Sequence, residues 1–233
     1  MNHWGLFLQW EPYIGGHISL IEKSKLENPH TLVSIFVNPT QFDNKNDLET
    51  YPQTLDADLK MLETARVNYV LCPSASQIYR DDFKFSVNEN SFSLTLCGVS
   101  RPGHFRGMLT VVMKLLQLAR ATRAYFGEKD YQQYLLVKQM CEAFFIDTEI
   151  VGCETVREVD GLAMSSRNVR LNNMDRERAI QFSKILRESQ TVTEAKRRLS
   201  DAGFQVDYVE DLFGRRLGAI KVGETRLIDN VQI

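Results

Sequence analysis

The sequence predicts an α/β fold, a parallel sheet flanked by helices and followed by a smaller α+β domain. Short apolar runs rich in β-branched residues alternate with helix-length segments between residues 5 and 153. That order builds parallel sheets with right-handed crossovers. Polar clusters follow three of the runs, after Val37, Phe126 and Cys153, and open parallel sheets bind their ligands beyond such C-terminal strand ends. From about Val156 the chain changes to charged helical segments and then short strand-like runs. Domains are therefore expected at 1–155 and 156–233.

Taken in order, residues 5–9 are the candidate first strand. Gly15-Gly16-His17 precedes a helical-looking stretch, 18–25, so its backbone amides could face an anion at a helix start; a Gly-Gly-His also makes an ordinary turn. Residues 31–37 (TLVSIFV) fit a strand buried on both faces, stopped by Asn38-Pro39. Thr54 is placed to cap a helix whose Leu55, Leu59 and Leu62 share a face, with Asp56 and Asp58 near its positive end. Residues 70–73 (VLCP) read as the next strand. Residues 83–97 alternate around Asn88-Glu89-Asn90 as a hairpin would, and 100–107 (SRPGHFRG) is a loop by composition. A helix over 108–121, a strand over 124–126 and a helix over 130–145 follow, the last opened by Asp130 with Gln133 at capping-box spacing. A strand over 148–153 closes this series. Helices at 174–188 and 193–202 and strands near 205–210, 218–222 and 225–229 make up the second domain.

Composition excludes several function classes. A chain of 233 residues with 43% hydrophobic and 25% charged content can bury a good core. Its 28 basic and 30 acidic residues leave no field to attract nucleic acid. Cys72, Cys97, Cys141 and Cys153 form no C-x-x-C pair, which argues against zinc and a disulfide framework and for buried free thiols. No apolar run approaches the roughly 20 residues of a membrane span, and the first residues lack a signal peptide's basic lead and cleavage site. A cytoplasmic protein without a membrane partner is expected.

The chemistry-bearing candidates each have a plain structural alternative. Gly127-Glu128-Lys129-Asp130 puts a cation and a carboxylate between a strand and a helix, suited to a nucleotide or equally to a helix cap with a solvated lysine. Ser165-Ser166-Arg167-Asn168 offers hydroxyls and a forked guanidinium for phosphate oxygens, or a capped turn. Asn38 and Gln41 are neutral amides that both donate and accept, fit for a hydroxy acid or for satisfying loop backbone. His104, flanked by Arg101 and Arg106, could meet a phosphate or be only locally bonded.

Order and phrasing join these signals. VSIFVNPTQF (33–42), YPQTLDADL (51–59), SRPGHFRG (100–107), RAYFGEKDYQQ (123–133), TVREVDGLAMSSRN (155–168) and RLIDN (226–230) resemble signatures of the pantothenate synthetase family, from about His17 to the C-terminus. The resemblance implies a Rossmann-like parallel-sheet domain with a smaller α+β C-terminal lid domain, a homodimer, and ATP with Mg2+. It also implies a ligase that condenses pantoate with β-alanine through a pantoyl adenylate, releasing AMP and pyrophosphate. Carried across by motif, Gln41 and Gln133 would bind pantoate's hydroxyls, with Asn38 shaping the same pocket. Lys129 would hold ATP phosphates and Gly127 and Asp130 the ribose. Ser165, Ser166 and Arg167 would hold the phosphate tail, Val156 and Met164 would border adenine, and Gly16 and His17 would face the triphosphate. Arg101 and His104 would add charge on the phosphate side. No protein metal ligands are implied, since Mg2+ rides on phosphate oxygens and water.

The resemblance breaks in one place. The family motif Met-Gly-x-x-His-x-Gly-His is matched by WEPYIGGH (10–17), where only the final Gly-His survives. Ile14 cannot donate a hydrogen bond, and Glu11 brings a carboxylate where phosphate prefers none. Losing one preorganised donor costs about 2.7 to 4 kcal/mol, enough to slow adenylation 100-fold or more. The expectation is thus the ligase, with two alternatives: a paralogue for another hydroxy acid and amine, or a catalytically impaired nucleotide-binding protein.

Overall fold

A computed structural model describes residues 4–9, 15–41 and 55–233. The chain forms two compact units, Met1–Glu128 with Gln132–Cys153, and Lys129–Tyr131 with Glu154–Ile233.

The first unit runs β1 (Trp4–Gln9), α1 (Gly15–Glu27), β2 (His30–Ile35), α2 (Leu55–Thr64), β3 (Tyr69–Leu71), α3 (Ala75–Ile78), α4 (Cys97–Ser100), α5 (His104–Ala119), β4 (Arg123–Gly127), α6 (Tyr131–Ala143) and β5 (Glu149–Cys153). Its five strands are all parallel, in the order β3-β2-β1-β4-β5. The buried strands are the continuous apolar runs of the sequence, because side chains on both faces meet helices. Leu20 and Ile21 of α1, Val33 of β2, Leu62 of α2, Tyr125 of β4 and Cys153 form the core of one layer. Gly5 lets α1 lie close on β1: a Cβ there would stand 2.0 Å from Ser24 Oγ. Helix α5 buries Met108, Leu109, Val111, Val112, Leu115 and Leu116.

Several expectations need correction. Residues 83–97 form no hairpin; they are irregular, with a 3₁₀ turn at Phe92–Leu94. The physical reason is Glu89, whose carboxylate accepts from the backbone N–H groups of Ser91, Phe92 and Ser93 and so curls the chain around itself. Helix α5 begins at His104, inside the stretch that composition marks as loop, because Gly103 takes φ +83° and turns the chain directly into the helix. Of the three leucines on α2 only Leu62 is buried; Leu55 and Leu59 are 43% and 38% exposed. Asp58 turns inward on the same helix. Asp130 lies within a 3₁₀ turn, Glu128–Asp130, and α6 starts one residue later. Cys97, Cys141 and Cys153 are buried thiols, but Cys72 is exposed. Burial pushes the Cys141 and Cys153 thiols up to about 11, which keeps them inert.

The second unit has helices α7 (Asn173–Ala179), α8 (Gln181–Glu188) and α9 (Val192–Asp201), then strands β6 (Gln205–Leu212), β7 (Arg215–Val222) and β8 (Thr225–Gln232). The strands form an antiparallel sheet with β7 in the centre. Phe182 and Leu186 of α8, Leu199 of α9, and Val209, Ile220, Leu227 and Val231 of the sheet close its core. No helix among the described residues is long and apolar enough to cross a membrane.

Candidate functional site

Because the five strands are parallel, the chain leaves the same edge of the first unit's sheet after β1, β2, β4 and β5. The strand order reverses between β1 and β4, and such a switch point is where doubly wound sheets open a crevice. Gly15, Gly16 and His17 open α1 after β1, and Gly127 ends β4 beside it. The altered residues 10–14 lie outside the described residues, so the structure does not bear on Glu11 or Ile14.

Asn38, just past β2, is fully buried and works on the protein itself. Its Nδ2 donates to Gly107 O (3.2 Å), while Oδ1 accepts from Tyr79 OH (2.7 Å), Thr40 Oγ1 (3.0 Å) and Thr40 N (3.3 Å). Burial pushes the Tyr79 phenol up, so it stays a donor. Phe83 stacks on the Tyr79 ring at 4.3 Å between centroids, and Lys114 Nζ lies 5.0 Å over the ring centroid while binding Asp81. Gly107 completes the clamp, since a Cβ there would meet Thr40 O at 2.5 Å. Asn38 thus fixes the 3₁₀ turn Pro39–Gln41. The side chain of Gln41 lies outside what the structure describes.

On α6 two adjacent glutamines divide the work. Gln132 is 4% exposed, donates to Phe92 O and Thr95 O (both 2.9 Å) and accepts from Cys97 N (3.1 Å). Gln133 is half-buried and makes no side-chain hydrogen bond to any described residue, leaving its amide available to a ligand. Arg101 Nη1 lies 3.0 Å from His104 Nε2. A guanidinium only donates, so Nε2 accepts and the imidazole hydrogen sits on Nδ1.

The second unit gathers the remaining candidates. Lys129, Ser165, Arg167, Asn168, Arg226 and Asp229 line one small recess. Lys129 Nζ is 3.8 Å from Asp130 Oδ2. Ser165 caps the 3₁₀ turn Ser166–Arg170, its Oγ accepting from Arg167 N at 3.2 Å, which leaves the hydroxyl hydrogen free to donate. Met164 N donates to Val156 O (2.9 Å), so these two residues stand side by side in a short antiparallel pairing.

Residues that sequence reasoning did not single out hold this arrangement. Arg157 grips both oxygens of buried Asp229 (2.7 and 3.0 Å). Arg176 binds both oxygens of Glu158 (3.1 and 2.7 Å) and also Asp160, holding the Glu158 carboxyl below its ordinary range. Glu158 in turn accepts from Asn168 Nδ2 (2.6 Å) and so braces the Ser166–Arg170 turn. The signal available for Asp229 and Asn230 was the RLIDN motif, two adjacent polar residues following the apolar pair Leu227-Ile228. Among the described residues no three His, Cys, Asp or Glu side chains converge as a metal site would need.

The family model for pantoate-beta-alanine ligase matches residues 15–232, beginning just after the altered stretch. Pantothenate synthetase of Bdellovibrio bacteriovorus is 51% identical over 218 residues, 94% of this chain and 87% of that protein. That of Legionella pneumophila is 47% identical over 229 residues, 97% of this chain and 91% of that protein. A crystal structure of pantoate-beta-alanine ligase from Francisella tularensis, complexed with beta-gamma ATP and beta-alanine, superposes with a TM-score of 0.92 at 42% identity, covering 99% of this chain and 90% of that one. Pantothenate synthetase from Thermus thermophilus gives 0.90 at 35% identity over 99% and 93%. Sequence and fold comparisons agree, and this chain belongs to the pantoate–β-alanine ligase family.

Proposed function

We propose that the chain condenses pantoate with β-alanine at the expense of ATP, through a pantoyl adenylate. The observation that carries the reading is the recess of the second unit, where Lys129 and Arg167, from two distant motifs, share one lining with the Ser165 hydroxyl. Two cations and a donor hydroxyl on one wall suit phosphate oxygens.

In this reading the pantoate carboxylate attacks the α-phosphorus, and the bond to the bridging oxygen of pyrophosphate breaks. The neutral β-alanine amine then attacks the acyl carbon, the bond to AMP breaks, and the amine proton is released. Lys129, Ser165, Ser166 and Arg167 hold the phosphates as negative charge shifts to the leaving group. Gly16 and His17 approach the triphosphate from the start of α1, where backbone amides favour anions. Gly127 and Asp130 take the ribose, and Val156 and Met164 border adenine. Gln41 and Gln133 bind the pantoate hydroxyls, while Asn38 shapes that pocket by fixing the Pro39–Gln41 turn. Arg101 adds positive charge on the phosphate side, its guanidinium held beside His104 Nε2. Mg2+, when bound, would supply charge neutralisation on the phosphates.

We assign the sheet domain to 1–155 and the lid to 156–233, working as a homodimer in the cytoplasm. Ile14 and Glu11 support a second reading, an enzyme of reduced activity. Incubation with ATP, pantoate and β-alanine tests the function: one AMP should form for each pantothenate, and ADP formation or the absence of amide would overturn the proposal.

A further inference from the structure

We infer that Asn230 is a positioning residue for Lys129. The inference rests on the reading of Lys129 as a phosphate-binding cation.

Lysine is a point charge on a flexible four-carbon stem, so where its ammonium can reach depends on where its backbone is held. Lys129 lies in the middle of the three-residue turn Glu128–Asp130, too short to hold itself by a ladder of internal hydrogen bonds. The second unit supplies the anchor. Asn230, 3% exposed on β8, donates from Nδ2 to the Lys129 carbonyl at 3.2 Å. Its Oδ1 accepts from Arg215 Nη1 at 2.9 Å. The guanidinium carbon of that same arginine stands 4.7 Å from the ring centroid of Tyr131. The chain is therefore held at two places by one linked pair of side chains, within the turn through the carbonyl of 129 and just past it through the ring of 131 at the start of α6.

The anchor is itself fixed from the other side. Asn230 N donates to Asp229 Oδ1 (2.8 Å), and Arg157, which grips Asp229, also donates to Asn230 O (3.3 Å). Asp229 and Lys129 line the same recess. The residue type follows from the geometry, because position 230 must donate at one end and accept at the other. An aspartate of the same shape keeps the acceptor for Arg215 and loses the donor to Lys129.

A double-mutant cycle on the full-length chain tests this, with pantoate-dependent exchange of pyrophosphate into ATP as the readout. Asn230→Asp should slow exchange about 10- to 100-fold, the loss that a displacement of about 1 Å produces. Its pantoate dissociation constant should stay near that of the wild type, while its thermal midpoint should fall, since a carboxylate oxygen replaces the donor facing the Lys129 carbonyl. Added to Lys129→Ala, the same substitution should cost less than about twofold, because two residues acting through one group do not add. If Asn230→Asp does not fold, Arg215→Met should show a smaller loss that likewise vanishes beside Lys129→Ala. Wild-type exchange in a folded Asn230→Asp, or an undiminished loss in the double mutant, overturns the inference. Wild-type exchange in Lys129→Ala alone would instead overturn the underlying reading of Lys129.

Discussion

Tyr79 donates a 2.7 Å hydrogen bond to Oδ1 of Asn38, and both residues are buried. The bond ties the segment after α3 to the turn after β2 that carries Gln41. Tyr79→Phe removes this donor together with the hydroxyl's 3.2 Å hydrogen bond to Thr40 Oγ1, so it should destabilise the fold by about 0.5 to 1.5 kcal/mol. It should also raise KM for pantoate several-fold while leaving KM for ATP unchanged. Equal changes in both constants would show that the network does not serve the pantoate pocket.

Gln132 and Gln133 should respond in opposite ways. Gln132→Ala strands the buried Cys97 N–H and takes one donor from each of the Phe92 and Thr95 carbonyls, so unfolding should become easier by about 1 to 3 kcal/mol. Gln133→Ala should leave stability within about 0.5 kcal/mol, the range of substitutions away from structural bonds. It should weaken pantoate binding by calorimetry. A pantoate affinity unchanged in Gln133→Ala would remove that residue from the site.

Lys129→Ala should lower the adenylation rate about 100-fold or more with little change in pantoate affinity, as expected where charge is met mainly in the transition state. Single-turnover measurement of AMP formation, set beside equilibrium binding of pantoate, separates the two effects. Parallel losses in both would assign Lys129 to ground-state binding instead.

Acid should loosen the support behind Asn38. Hydrogen bonds from Lys114 and from the Phe85 backbone N–H hold the Asp81 carboxyl at about 2, below its ordinary 3.8. A depressed carboxylate contributes stability that is present above pH 3.8 and is lost as pH falls from there towards 2. Asp81→Asn should therefore melt below the wild type at neutral pH, and the gap in thermal midpoint should close across that window. A gap independent of pH would deny the ion pair this role.

Ile14→His combined with Glu11→Gly should raise the adenylation rate by about 10- to 1,000-fold, the effect of restoring one transition-state donor. The motivation is the register set by Gly16-His17, which puts Ile14 where the family places its first motif histidine. Normal ATP binding without a gain in rate would favour a paralogue retuned for another acid.

The parallel sheet was legible because β2, β4 and β5 are buried on both faces and so read as unbroken apolar runs. Local composition misled where a single residue overrode it. Gly103 turns a Pro-Gly stretch into the start of α5, and Glu89 satisfies with its carboxylate the backbone that a hairpin would have paired. The site was legible as motifs and not as geometry. Nothing in the pair Gln132-Gln133 says which amide turns inward, because a one-residue step rotates the side chain by about 100° around a helix. Asn38 reads as a ligand amide until its partners Tyr79, Thr40 and Gly107 are seen, each distant or facing in a way that periodicity does not encode. Asn230 was hidden for the same reason, since its partners Lys129 and Arg215 are joined to it only by the fold.

The most direct test of the account is exchange of labelled pyrophosphate into ATP, measured with pantoate present, with pantoate absent, and with β-alanine alone. A chain that activates pantoate as an adenylate should exchange label only when pantoate is present and should need no β-alanine to do so. Exchange without pantoate, or none in the presence of ATP, Mg2+ and pantoate at saturating concentrations, would contradict it.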